Sequence, residues 1–171
     1  MSMSLDGFVA DREGNAGAPY PEFDALRSSD VMKDLIVTTG AVVMGRRAYD
    51  MGVDEGYDDY EYDVPIFVAT HRVPERPARG RSFRFVTEGV STAVEHARAA
   101  ADGAKVTVIG GASAAQQCLR AGMLDEIRIR LIPMLLRGGL RLFEDARRVD
   151  LEIASVVEEP TVIHLRYRVI R

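Results

Sequence analysis

Apolar positions along the chain follow two different periods. Short apolar runs recur at Val42–Met44, Pro65–Thr70 and Val106–Ile109, and the first and third run directly into glycine. Runs bounded by turn residues predict buried strands. Between them, Ser91–Ala101 sets Ala93, Ala97 and Ala100/Ala101 at helical spacing. Ala112–Ala121 does the same with Ala115 and Leu119, and Gly122 is its stop. An earlier helix is predicted over Glu22–Val37, with Phe23, Leu26, Met32 and Leu35/Ile36 facing inward. The C-terminal part changes to period two. Ile127, Ile129 and Leu131 alternate with Glu126, Arg128 and Arg130, as in a half-buried strand. Val149–Val157 predicts another strand. Glu158-Glu159-Pro160 turns the chain into a last one, where Ile163, Leu165, Tyr167 and Val169 alternate with His164, Arg166 and Arg168. Strand–helix alternation followed by this antiparallel hairpin argues an α/β fold with a mixed sheet. Gly52–Asp63 is acidic and tyrosine-rich and reads as a surface loop, with a lid over a site as the alternative.

Composition narrows the function classes. The 171 residues suit one domain with a sizeable core, and neither a repeat nor a long low-complexity linker divides them. Twenty-six acidic against 22 basic residues leave a formal charge of −4, so nothing in the balance points to nucleic acid. The longest uncharged stretch, Val106–Leu119, is too short to span a bilayer. A single cysteine, Cys118, excludes an internal disulfide and a thiolate metal cluster. No basic segment with an apolar core opens the chain, so no secretory signal is expected. The expectation is a cytoplasmic single-domain protein without a metal.

Candidate chemistry gathers at strand-to-helix junctions. Met44-Gly45-Arg46-Arg47 delivers two arginines to the start of a short helix, where the helix dipole disfavours cations. A bound phosphate would offset that cost; a solvated first turn explains the pair as well. Val108-Ile109-Gly110-Gly111-Ala112-Ser113 brings paired glycines, which let backbone N–H groups approach a ligand, to the start of another helix. A tight turn alone would also account for them, and neither the Rossmann nor the P-loop fingerprint is present. Thr70-His71-Arg72 follows a third strand. Three such junctions converge on a dinucleotide at the carboxyl edge of a sheet. Asp6-Gly7 reads first as an Asx-type turn, although a carboxylate there could also bond an amino-heterocycle. His71, His96 and His164 show no metal-ligand spacing.

Taken in order, Ser4-Leu5-Asp6-Gly7-Phe8-Val9-Ala10, Val43 to Tyr49, Val108 to Ser113, Leu124-Asp125-Glu126, and Ile132-Pro133 through Gly138-Gly139 to Leu142-Phe143 resemble the dihydrofolate reductase-like superfamily. The nearer branch is the reductase domain of bacterial bifunctional riboflavin deaminase-reductases and its stand-alone relatives. The resemblance implies a three-layer fold with a mixed, mostly parallel sheet, and NADPH across the strand ends. It implies that Gly45, Arg46 and Arg47 contact cofactor phosphates, that Thr70, His71 and Arg72 hold the 2′-phosphate, and that Gly110, Gly111, Ala112 and Ser113 cradle the pyrophosphate. Asp6 and Gly7 would line the substrate side, with Asp6 as the candidate catalytic acid and Ile109 as a further substrate neighbour.

Three departures stand out. Ile109 occupies a position that is usually glutamate in the riboflavin reductases. The chain has no tryptophan, and the usual Leu-Gly-x-Gly turn is Leu136-Arg137-Gly138-Gly139. The expected activity is NADPH-dependent reduction of a small pterin- or aminouracil-like heterocycle, as in dihydrofolate reductase or 5-amino-6-(5-phosphoribosylamino)uracil reductase, hence related to riboflavin biosynthesis. The alternative is a non-catalytic nucleotide- or pterin-binding relative. A homodimer is expected, because the strand Glu126–Leu131 and the terminal hairpin leave sheet edges to cover.

Overall fold

A computed structural model describes residues 1–17, 29–54, 56–144 and 148–171. In chain order the elements are β1 (Ser2–Ser4), β2 (Phe8–Ala10), α1 (Asp30–Thr38), β3 (Thr39–Gly45), α2 (Arg46–Asp50), β4 (Ile66–Ala69) and β5 (Phe83–Val86). There follow α3 (Val90–Ala100), β6 (Lys105–Gly110), α4 (Ala112–Arg120), β7 (Glu126–Ile132), β8 (Leu140–Arg141), β9 (Leu151–Glu159) and β10 (Val162–Val169). The predicted helix over Glu22–Val37 is seen from Asp30, capped by the Ser29 hydroxyl on the Met32 N–H. Its predicted inward residues Phe23 and Leu26 lie outside the described residues.

The chain divides into two compact units, Met1–Asp24 with Cys118–Arg171, and Ala25–Gln117. The central unit is built on a parallel sheet of order β5-β4-β3-β6. Residues of β3 alternate between its two faces. Val43 pairs with Phe67, whose ring contacts His96 of α3, so this face lies under α3. Val42 and Met44 face the other way into a core with Tyr49, Tyr57, Tyr62, Ile66 and Val68, against which Met32 and Ile36 of α1 pack. Helix, sheet and a helical-aromatic layer thus give three layers. All three β3 partners just named as core, Val42, Val43 and Met44, are at most 2% exposed, as a central parallel strand requires.

Gly52–Asp63 departs from the surface-loop reading. Tyr57 and Tyr62 are buried in the core, and Tyr57 stacks on Tyr49 with ring centroids 6.0 Å apart. Its hydroxyl donates to the Tyr49 carbonyl at 2.7 Å, while the Tyr49 hydroxyl accepts the Ala78 N–H at 2.7 Å. Burial, with Tyr49 and Asp50 nearby, pushes the Tyr57 phenol up to about 12. Asp54, Asp58, Asp59 and Asp63 reach solvent while Tyr57 and Tyr62 turn inward, so the acidic composition hides a core element.

The other unit carries a mixed sheet of order β1-β7-β10-β9, with β1 parallel to β7 and the rest antiparallel. A two-stranded β2-β8 ribbon accompanies it. The β9–β10 hairpin turns at Pro160-Thr161, one residue beyond the acidic pair. Strand Glu126–Ile132 is flanked on both sides, so it offers no sheet edge, contrary to expectation; the outer strands are β1 and, from the terminal hairpin, β9. Ile153 and Val156 on β9 are 66% and 56% exposed. Among the described residues no helix is long and apolar enough to cross a membrane.

Candidate functional site

Because β3, β4, β5 and β6 are all parallel, their carboxyl ends share one edge of the central sheet. The chain lays down β3, β4 and β5 outward in one direction, then crosses over through α3 to place β6 on the far side of β3. The strand order therefore reverses between β3 and β6. Ligands of open α/β sheets sit in the crevice at such a reversal. Both glycine junctions end here. Met44 is in register with Gly110, and a Cβ built on Gly45 would stand 3.4 Å from the Gly111 nitrogen and 3.5 Å from the Ala114 Cβ.

The Gly110-Gly111 turn presents backbone and little else. Gly110 is buried with φ +155, and the peptide bond between the two glycines is cis. A Cβ on Gly111 would meet nothing within 4 Å. Gly111 immediately precedes the first turn of α4, whose opening N–H groups have no intrahelical acceptor. The Gly111 carbonyl accepts the N–H groups of Ala114 and Ala115, which closes that turn. Ala112 is buried at 1% exposure, so its contribution to a ligand is its backbone alone. Ser113 is exposed, and its hydroxyl accepts from the Gln117 amide at 3.1 Å.

The cationic residues at this edge are arranged around backbone carbonyls. Arg46 donates Nη1–H to the Arg72 carbonyl at 2.8 Å and pairs through Nε with Asp50 at 2.7 Å. It therefore ties the β3 junction to the segment after β4. Arg47 is exposed. Thr70 is buried, and its hydroxyl donates to the Arg72 carbonyl at 2.9 Å and accepts the Arg72 N–H at 3.3 Å. This small turn fixes where His71 and Arg72 leave the sheet; both are exposed. Arg72 meets Glu75 at 3.3 Å with both side chains largely in solvent, a pair that an incoming anion can displace at little cost. Residue-type reasoning missed Glu88 at the end of β5. Backbone bonds, with the Thr87 N–H at 2.8 Å, hold its carboxyl below the usual range.

Ile109 is half-buried on β6 and packs against the core of Val42, Met44 and Tyr49. Its side chain is used in packing.

Asp6 and Gly7 belong to the other unit. The Asp6 carboxylate accepts the Ser4 hydroxyl at 2.6 Å, the Leu136 N–H at 3.1 Å and the Arg137 N–H at 2.8 Å. The Ser4 bond and then the two backbone bonds hold its carboxyl below the ordinary carboxylate value. It stays ionised near neutrality as an acceptor that clamps the turn at residues 136–137. Gly7 adopts φ +90 and donates to the Ser4 carbonyl, while its own carbonyl accepts the Leu142 N–H. The partners Leu136 and Arg137 lie some 130 positions away and carry no local signal.

The family model of the RibD C-terminal domain matches residues 1–165. The chain belongs to the RibD C-terminal domain family. Among solved structures, a protein from Shewanella sp. PV-4 assigned to riboflavin biosynthesis is 24% identical with a TM-score of 0.81, over 99% of this chain and 96% of that one. Dihydrofolate reductase from Enterococcus faecalis, complexed with NADP(H), is 19% identical with a TM-score of 0.63, over 99% and 93% of the two chains. The Thermotoga maritima diaminohydroxyphosphoribosylaminopyrimidine deaminase/5-amino-6-(5-phosphoribosylamino)uracil reductase is 14% identical with a TM-score of 0.66. The match covers 98% of this chain and 54% of that protein, so the chain spans about half its length. At these identities the likeness shows the fold, which is dihydrofolate reductase-like. No curated protein matches the chain.

Proposed function

We propose that the protein is an NADPH-dependent reductase of a small pterin- or aminouracil-like heterocycle. The observation that carries this reading is the open volume in front of Gly111, beside Gly45, at the reversal of strand order. A phosphate would find no Cβ in its way there, and the first N–H groups of the helix that follows Gly111 would be its donors. Membership of the RibD C-terminal domain family supports the same reading. Gly45, Gly110, Gly111, Ala112 and Ser113 would hold the pyrophosphate through backbone groups and the Ser113 hydroxyl. Arg46, Arg47, Thr70, His71 and Arg72 would hold the remaining phosphates, with the adenosine 2′-phosphate favouring the cationic end. When bound, the nicotinamide supplies hydride. Asp6 acts as the positioning acid of the substrate side, holding the Gly7 turn and residues 136–137 in place, and Ile109 sets the depth of the site through packing.

A second reading is a binding protein of the same fold without turnover. It draws on the Asp6 carboxylate, whose oxygens are already engaged by Ser4, Leu136 and Arg137 and which is a poor proton donor when ionised. Incubation with NADPH, followed by the loss of reduced-nicotinamide absorbance across a panel of pterins, aminouracils and their glycosides, separates the two. Substrate-dependent oxidation supports the reductase; cofactor binding with no oxidation on any member supports the binding protein. The reading places the protein in the cytoplasm, acting on a small molecule. It also includes a homodimer formed through the exposed β9 edge, and a monomer in sedimentation at micromolar concentration would remove that element.

A further inference from the structure

Tyr49 belongs to α2 and is 1% exposed, so its side chain is out of reach of any ligand. Its ring is packed from several directions. Phe83 and Phe85 of β5 meet it edge-on, with centroids 4.9 and 5.3 Å away, and Tyr57 stacks on it. Phenylalanine would supply every one of these ring contacts. What tyrosine adds is one oxygen, which accepts the Ala78 N–H at 2.7 Å.

Ala78 closes a short span that opens just after β4. Arg72 stands at its start, and the Arg72 carbonyl accepts Arg46 Nη1–H at 2.8 Å. Arg46 and Tyr49 are three residues apart on α2 and share one side of it, with the guanidinium carbon 6.0 Å from the Tyr49 ring centroid. One helix therefore holds the span at both ends, residue 72 through Arg46 and residue 78 through Tyr49. Pro74 and Pro77 between these pins fix their own φ angles and stiffen it. Its other charged side chains stand in solvent: Glu75, paired with Arg72, and Arg76. Beyond the span, the Arg79 carbonyl accepts the Tyr57 N–H at 3.0 Å, which anchors the approach to β5.

We propose that Tyr49 is a positioning residue, whose hydroxyl sets the Thr70–Arg72 arm against the Gly45–Arg47 junction and thereby the preference for a 2′-phosphorylated nicotinamide dinucleotide. The proposal rests on the reductase reading above, which gives this arm to the 2′-phosphate. A guanidinium recognises phosphate through directed N–H bonds, so where the arm stands matters as much as its charge. The helix α2 starts directly after Gly45, so a span pinned to it keeps a fixed distance from that junction. Without the hydroxyl, the half-buried Ala78 N–H turns to water and the arm gains freedom that a bound phosphate must then remove.

The test compares wild type, Tyr49→Phe and Tyr57→Phe by calorimetric titration of NADPH and of NADH, and by amide spectra of the unliganded proteins. Tyr57→Phe is the control, because its buried hydroxyl donates to the Tyr49 carbonyl at 2.7 Å and touches α2 but not the span. Both substitutions keep the ring, so the core stays filled. Tyr49→Phe should weaken NADPH about tenfold, as for one lost charge-assisted contact, and NADH by less than about threefold. Tyr57→Phe should leave the ratio of the two affinities at the wild-type value. In the unliganded spectra, Tyr49→Phe should move the signals of residues 71–73 together with Ala78, and Tyr57→Phe should leave 71–73 in place. A hydroxyl that serves stability alone would alter both dinucleotides alike or neither, and either result overturns the proposal. Equal wild-type affinities for NADPH and NADH, or the same change of ratio in Tyr57→Phe, overturn it as well. Wild type that binds neither dinucleotide removes the reductase reading instead. The pinning of the arm is then decided by the spectra, and unmoved signals at 71–73 overturn it in every case.

Discussion

Replacing Gly111 by alanine sets stability against cofactor affinity, with opposite signs expected. The added Cβ meets no protein atom within 4 Å, and Gly111 is outside the set of glycines with left-handed φ. Nothing in the chain resists the methyl group. Lowered freedom of the unfolded chain should stabilise by about 0.4–1 kcal/mol, a rise of at most about 4 °C for a chain of this size. The same methyl enters the volume assigned to the pyrophosphate. A phosphate pushed out of reach of one N–H loses a charge-assisted bond of about 1.5–3 kcal/mol, which is ~10- to 150-fold in affinity. Calorimetric titration of NADPH together with a thermal melt reads both quantities. Gly17→Ala is the matching control for the stability effect, since its Cβ also meets no protein atom within 4 Å. Unchanged NADPH affinity in Gly111→Ala would refute the cradle, and a large fall in melting temperature would refute the open volume.

Asp6→Asn should lower turnover by about 10²-fold, the range for losing a positioning or proton-transfer group, with NADPH affinity unchanged. Full activity in steady-state assays would confine Asp6 to the turn. Because the folded Asp6 carboxyl lies below its ordinary value of 3.8, its contribution to stability is complete above that pH and is lost as pH falls through the folded value. Acid melts of wild type and Asp6→Asn should therefore converge at low pH. Tyr49→Phe leaves the half-buried Ala78 N–H without its acceptor and should cost about 1 kcal/mol in denaturant unfolding. The Tyr57 phenol titrates at about 12 in the folded protein, so its contribution is present up to the ordinary value of 10 and lost as pH rises through 12. Alkaline melts of wild type and Tyr57→Phe should diverge least above that point.

Elements with strict periods were legible in the amino acids. The alternation in β7 and β10 marks both as strands, although it does not sort their faces, since His164 and Arg130 are buried and Ile163 is exposed; β6 running into Gly110-Gly111 announces its own turn. Elements defined by distant partners were not. Leu140–Arg141 is a strand because Phe8–Ala10 lies beside it, and two residues carry no period. Phe83–Val86 is only four residues long and is interrupted by Arg84, yet it completes the parallel sheet. The tyrosines of 52–63 were hidden by the acids between them, since a loop can bury alternate rings without any regular spacing. At the site, the glycine junctions were visible but their adjacency was not, because it depends on β6 crossing to the far side of β3. The engagement of Asp6 by Leu136 and Arg137 was equally invisible, as a bond across 130 positions leaves no local mark.

Titrating NADPH into the isotopically labelled whole chain, and following each backbone amide, tests the cofactor edge most directly. Saturable shifts should concentrate at Gly45–Arg47, Thr70–Arg72 and Gly110–Ser113, with NADH producing the same pattern more weakly at 70–72. Shifts absent from these three segments at saturation, or no saturable shift at all, would contradict a nicotinamide cofactor at the carboxyl edge of the central sheet.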